Sequence, residues 1–271
     1  MTRFDSWDSY FNDNPHDPKI AEDQRVLRNL LGAEDPGLLA EQERAITLRR
    51  VFELERHPIE GTFDFTHHRA IHRHIFKDVY EWAGEPRTVD MGKTHRLWPA
   101  AAIIDNAPSI YGAITHDNFL QGMEPEQFVA RLAEHWGEVN VLHAFREGNT
   151  RSQRAFFHQL ADQAGYVLDG AYLEKHYKDF NTAREDAMLT SKSDKLAEFL
   201  KPAVQPKNES RTAAGAADPA LKAKVAKYRG AAFPGKSRGA TGPFLEGKGK
   251  SALPPDYGRQ PDPTRGQGMG D

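Results

Sequence analysis

Through most of its first 200 residues the chain places apolar side chains three and four positions apart, and that period restricts it to helices. Val26, Leu27, Leu30 and Leu31 form one such stripe, and Ala45, Leu48, Val51 and Phe52 another. Between residues 64 and 82, His68, Ile71, Ile75, Val79 and Trp82 share a face, with Asp64 as N-cap and Gly84 and Pro86 beyond the end. Further helices are expected at about 100–115, 124–142, 150–164, 171–184 and 190–200. One segment breaks the period. Residues 87–99 combine β-branched side chains with Gly92 and a closing Pro99, which predicts a hairpin with Gly92 near its turn. No internal repeat is present, which excludes a solenoid. The expected fold is an all-α bundle carrying one β-hairpin.

The period stops near Lys201 and Pro202. Residues 201–271 hold 11 of the 22 glycines and 9 of the 17 prolines, and their apolar residues stand singly. Such a segment buries too little apolar surface to offset its ordering entropy. It also carries 13 Lys or Arg against six acids, a balance of +7, whereas residues 1–200 carry 23 against 33, a balance of -10. The chain therefore divides into a folded acidic body with an N-terminal helical extension, residues 1–200, and a disordered basic tail rich in Gly, Pro and Ala, residues 201–271. No apolar run approaches the ~18 residues of a membrane span, and the first residues lack the apolar core of a secretory signal. The absence of cysteine removes disulfide scaffolds, thiolate metal sites and cysteine nucleophiles. Together these features predict a cytoplasmic protein.

The stretch from Val141 to Ala155 concentrates chemistry. Phe128, Leu132, Trp136 and Val139 mark a buried stripe, and His143 follows four residues later, at the C-terminal end of that helix. Asn149 reads as the N-cap of the next helix, and Gly148 before it lets backbone approach a ligand closely. A helix start offers unpaired N–H groups and a positive dipole end, hence an anion site. Arg151 and Arg154 then stand in the first turn, where the dipole disfavours cations unless an anion lies between them. Glu147 is the one acid in this cup, and a carboxylate beside bound phosphates suits Mg²⁺. The plain alternative is a histidine ending a core stripe, a capping asparagine and two solvated arginines.

This stretch resembles the signature of the Fic family, His-x-Phe-x-[Asp/Glu]-Gly-Asn-Gly-Arg-x-x-Arg, at every specified position but one. The preceding segment, with Ile71, His72, Ile75, Phe76, Asp78, Tyr80, Trp82, Ala83, Gly84, Glu85 and Arg87, is similar to the region before the flap in Fic proteins. The resemblance covers about residues 20–200 and implies a Fic-type helical bundle whose hairpin is the flap. It implies transfer of AMP from ATP to a Ser, Thr or Tyr hydroxyl of a target protein. His143 would be the general base, Phe145 a buried anchor, Glu147 the Mg²⁺ ligand, and Gly148, Asn149, Thr150, Arg151 and Arg154 the groups around the phosphates. Lys93 and Thr94 would be polar contacts of the flap, on which the target segment docks by strand addition.

The departure is Thr150, where the signature has Gly. Relatives with Lys at that position act as phosphotransferases, so γ-phosphate transfer is the alternative, and a catalytically silent binding module is another. The inhibitory pattern [Ser/Thr]-x-x-x-Glu-[Gly/Asn] of many Fic proteins has no match, the nearest being the stretch from Thr241 to Gly247, one residue too long. The resemblance therefore suggests a toxin restrained by a separate small antitoxin chain.

Three other signals compete. Gly230 to Ser237 fits the P-loop pattern, but a charged segment precedes it and Gly239, Gly242 and Pro243 follow it, where a strand and a helix are needed. His67, His68, His72 and His74 cluster, yet Arg69 and Arg73 beside them oppose a metal, so they read as structural or surface histidines. The basic tail could attract nucleic acid by charge alone, but it has no interleaved aromatics or repeated basic motif to support such a contact.

Overall fold

The computed structural model describes residues 4, 6–12, 24–93 and 96–207, with backbone alone at 92, 93 and 96–98. Thr94, the P-loop match, the Thr241–Gly247 stretch and nearly all of the expected tail lie outside the described residues. Eight α-helices are described: α1 (Pro36–Arg56), α2 (Phe65–Phe76), α3 (Ala101–His116), α4 (Pro125–Leu142), α5 (Asn149–Gln163), α6 (Gly170–Lys175), α7 (Tyr177–Thr190) and α8 (Asp194–Leu200). α4 and α5 lie at the centre. α4 packs on α3, α5, α7 and α8, while α2 packs between α1 and α5. The predicted stripe Phe128, Leu132, Trp136 and Val139 is buried, and Trp136 stacks on Phe157 of α5 at 4.6 Å and meets Phe180 of α7 edge-on at 5.2 Å. Each helix thus buries an apolar stripe that could not be stable alone in water.

Asp64 caps α2 as expected, its carboxylate accepting the His67 N–H at 2.7 Å. The helix ends sooner than its stripe. After Phe76 the chain turns, with the Val79 and Tyr80 N–H groups both donating to the Phe76 carbonyl. Val79, Tyr80, Trp82 and Ala83 stay buried, so packing continues the apolar spacing without helix. Residues 26–31, read as a helical stripe, are not helical either. Leu27 makes an isolated antiparallel bridge with Phe11, and the Asn29 side chain holds the following turn through the N–H groups of Leu31 and Ala33. The helix expected at 171–184 is two, α6 and α7, broken at His176.

The hairpin forms from β1 (Met91–Lys93) and β2 (Arg96–Trp98), in register Met91 to Trp98, Gly92 to Leu97 and Lys93 to Arg96. Gly92 therefore lies within a strand, opposite Leu97. A second ladder pairs β3 (Tyr166–Leu168) with β4 (Val204–Pro206), antiparallel. β4 lies past Lys201, in the segment whose composition reads as tail, and is held there because Val204 and Ala203 are buried and Asp169 N–H donates to the Ala203 carbonyl at 2.8 Å. Among the described residues no helix is long and apolar enough to cross a membrane.

Candidate functional site

α4 ends on His143, which adopts the left-handed conformation at φ 42°, ψ 55°. Histidine is among the side chains that visit this region more readily. The surrounding backbone holds it there. Arg87, buried just before the hairpin, donates from Nε to the His143 carbonyl at 2.8 Å and from Nη1 to the Val89 carbonyl at 2.6 Å. Its own N–H donates to the Ala144 carbonyl at 2.9 Å. Burial lowers the Arg87 pKa to about 10, with Asp90 opposing, so the guanidinium stays charged at neutral pH.

Two residues on, Phe145 is fully buried, stacked on His72 at 3.8 Å and edge-on to His68 at 5.2 Å. The Asn149 amide closes the loop around it, accepting the Phe145 N–H at 2.9 Å and donating to the Phe145 carbonyl at 2.7 Å. Asn149 is therefore not the cap expected from its position. It is the first residue of α5, and its side chain satisfies backbone groups that would otherwise be buried without partners. Gly148 flanks the helix instead, at φ 80°. A Cβ at this position would stand 2.2 Å from Cζ of Phe76.

His72 fixes the loop from below. Its Nδ1 accepts the Gly84 N–H at 2.8 Å, so Nε2 carries the proton and donates to the Glu147 carbonyl at 2.9 Å. Burial lowers its pKa to about 3, which keeps it neutral. His67 bonds the Ile59 carbonyl, and His68 bridges the Tyr111 hydroxyl and Ser152 Oγ. The histidine cluster is thus built into the packing, and the described residues contain no group of three or more His, Cys, Asp or Glu that could hold a metal ion.

The arginines are not the unpaired pair suggested by their positions. Arg151 pairs with Glu43 of α1 at 2.5 Å and Glu147 at 3.2 Å, donates to Thr47 Oγ1 at 3.1 Å, and lies over the Phe76 ring at 4.7 Å. Burial works against its charge, but Glu43 and Glu147 outweigh that and raise its pKa. Tyr80 donates its hydroxyl to Glu43. Burial and the Glu43 charge raise the pKa of Glu147, against the pull of Arg151. Arg154 pairs with Glu174 and donates to the Gly170 carbonyl, both at 3.2 Å. Thr150 Oγ1 accepts from Arg184 of α7 at 3.0 Å. Lys93 is the last residue of β1.

The structure thus gathers His143, Glu147, Gly148, Asn149, Thr150, Arg151 and Arg154 on one loop and the first two turns of one helix. Glu43 and Arg184 were missed by sequence reasoning. Glu43 carries a signal, since Thr47 four residues later shares its face and both meet Arg151. Arg184 carries none, because its shortest bonds go to Asn140 and Gln153, on two other helices. A loop of this shape, leading from a histidine to a helix N-terminus ringed by guanidinium groups, suits an anionic ligand next to a proton acceptor.

The comparisons agree. A family model described as the Fic/DOC family matches residues 62–161. The chain is 40% identical over 161 residues to the protein adenylyltransferase VbhT of Bartonella schoenbuchensis, covering 59% of this chain and 34% of that protein. It therefore spans about a third of that relative's length. To the "Probable protein adenylyltransferase y4lH" of Sinorhizobium fredii it is 36% identical over 183 residues, covering 67% of this chain and 91% of that protein. Among solved structures, the N-terminal Fic domain of a VirB-translocated Bep effector protein from Bartonella quintana, with bound ADP, matches at a TM-score of 0.65 and 24% identity. That match covers 76% of this chain and 98% of the other, and it concerns the fold.

Proposed function

We propose, from the fact that the chain belongs to the Fic/DOC family, that it is a protein adenylyltransferase, moving AMP from ATP to a hydroxyl group of a target protein. The observation that carries this reading is the loop itself. His143 and the N-terminus of α5 are separated by a short segment whose every bend is held by a named bond.

In this reading His143 accepts the proton of the target hydroxyl. The hydroxyl oxygen forms a bond to the α-phosphorus as the bond to the bridging oxygen breaks, and pyrophosphate leaves. The N–H groups at Gly148, Asn149 and Thr150 face the phosphates, and Arg151 and Arg154 exchange part of their hold on Glu43, Glu147 and Glu174 for phosphate oxygens. Such a transfer asks for positioning and charge neutralisation more than for covalent chemistry by the protein. Lys93 and Thr94 belong to the hairpin on which the target segment adds as a strand.

Mg²⁺ fits this donor set. Buried Glu147 and half-buried Glu43 both pair with Arg151, and burial together with the Glu43 charge raises the pKa of Glu147, a cost that a divalent cation beside it would relieve. Held by Glu147 and phosphate oxygens, the ion would supply charge neutralisation at the phosphates. A toxin role under restraint by a separate small chain completes the reading. It rests on the unmatched inhibitory pattern and is tested by whether the protein co-purifies with a small helical chain encoded beside it.

The deciding experiment incubates the protein with lysate, Mg²⁺ and ATP labelled at the α- or the γ-phosphate. Transfer of α-label that disappears in His143→Ala supports the reading. Transfer of γ-label alone would make the protein a phosphotransferase, and no transfer of either label a binding module.

A further inference from the structure

Arg184 is 5% exposed, yet its hydrogen bonds reach no carboxylate. Nη2 donates to Asn140 Oδ1 at 2.5 Å and Gln153 Oε1 at 2.6 Å, and Nη1 donates to Thr150 Oγ1 at 3.0 Å and Asn181 Oδ1 at 3.4 Å. The Asn140 amide answers by donating to the Arg184 carbonyl at 3.3 Å. Burial lowers the Arg184 pKa to about 10, with Arg154 acting in the same direction and Tyr177 against it, so the group is cationic at neutral pH. A buried cation whose hydrogen bonds, among the described residues, go to neutral oxygens is costly, and this one stands between α4 and α5. Asn140 lies on α4 three residues before His143, while Thr150 and Gln153 lie on the first turns of α5.

We propose that Arg184 is a positioning residue that staples both ends of the His143–Asn149 loop, and that Thr150 replaces the signature's glycine because its hydroxyl is one of the staple's acceptors. This rests on the reading that the α5 N-terminus takes nucleotide phosphates. The guanidinium sets the distance between the C-terminal turn of α4, which carries the proton acceptor, and the N–H groups of α5. Its net charge also adds to the positive end of the α5 dipole. A glycine at 150 would leave Nη1 with only the long contact to Asn181 and loosen one of the loop's two ends.

The test uses the full chain and five variants: Thr150→Ser, Thr150→Val, Thr150→Gly, Arg184→Gln, and Arg184→Gln combined with Thr150→Val. Three quantities are read: melting temperature, ATP affinity by titration, and the KM and kcat of AMP transfer. Thr150→Ser keeps the acceptor and serves as the reference for the other variants at this position. Thr150→Val keeps the shape without the acceptor, and Thr150→Gly lacks both; each should weaken ATP binding by about tenfold, the loss expected for a hydrogen bond to a charged group. Arg184→Gln should lower kcat/KM by about a hundredfold, as misplacement of reacting groups does. In that background Thr150→Val should cost nothing more.

A valine variant indistinguishable from the serine variant, or losses that add in the double variant, would overturn the proposal. If Arg184→Gln does not fold, the serine and valine pair at the half-buried position 150 still decides it. Failure of the underlying reading looks different. A wild type that transfers no AMP, with the Ser and Val variants still differing in ATP affinity, removes the adenylyltransferase reading and leaves the staple. A wild type that transfers AMP, with Ser and Val alike, does the reverse.

Discussion

Gly148→Ala isolates the steric requirement at the start of α5. Two penalties combine there. An alanine at φ 80° costs about 1–2 kcal/mol for the left-handed conformation. Its Cβ would also meet Phe76 at 2.2 Å from Cζ, 2.3 Å from Cε2 and 3.0 Å from Cε1. The ring cannot swing clear, because it is fully buried, stacked on His72 at 4.6 Å and covered by the Arg151 guanidinium at 4.7 Å. Overpacking of this kind costs about 1–3 kcal/mol, for a sum of about 2–5 kcal/mol. At this chain length that lowers the melting temperature by about 5–15 °C.

The two parts separate in a double-mutant cycle by urea unfolding. Phe76→Leu removes the ring atoms nearest the new methyl group, so in that background Gly148→Ala should cost only the backbone part, a coupling of about 1–3 kcal/mol. A coupling of zero, or a Gly148→Ala variant as stable as the wild type, would refute the packing argument. Loss of ATP binding at unchanged stability would mean that the glycine serves close approach of the ligand instead.

Asp64→Ala should remove the α2 cap at a cost of about 1 kcal/mol in urea unfolding. Glu43→Gln weakens the hold on Arg151 and leaves Glu147 as its remaining carboxylate, and should destabilise by about 1–3 kcal/mol, read in the same melts. Burial, with the nearby His72 and His67 acting alike, lowers the pKa of His68 well below its usual value. The unfolded chain then takes up this proton first as pH falls. Stability that is full above about pH 6.5 is lost below it at up to about 1.4 kcal/mol per pH unit, until the folded-state pKa is reached. His68→Gln should flatten that acid slope in urea titrations between pH 4 and pH 7, and an unchanged slope would refute the assignment.

What the sequence disclosed divides along physical lines. α2 with its Asp64 cap and the central pair α4 and α5 were legible because each depends on residues within one or two turns, whereas the anchoring of Phe145 came only through the resemblance, since the His72 and His68 it packs on are distant in sequence. The β3–β4 ladder was not, since its two strands are three residues long and far apart in sequence, too short to show a period of their own. Gly92 looked like a turn residue, but register is set by both strands together and placed it opposite Leu97. Asn149 had the chemistry of a cap and used it four residues back, on a backbone that the fold had buried. Arg151 and Arg154 looked uncompensated because their acids, Glu43 and Glu174, are distant in sequence.

Arg87 reaches carbonyl oxygens only, at Val89 and His143, while its main chain takes the carbonyl of Ala144. None of these bonds consults a side chain of the loop it grips. The grip of Arg87 on position 143 is therefore indifferent to the side chain there, and a chain with alanine at 143 should keep the same bonds from Arg87, less at ease in the left-handed conformation and lacking the imidazole. The same indifference extends outward. Because Arg87 also leads directly into the hairpin, a push on the hairpin arrives at the carbonyls of residues 143 and 144 through Arg87, as through a bracket bolted at both ends.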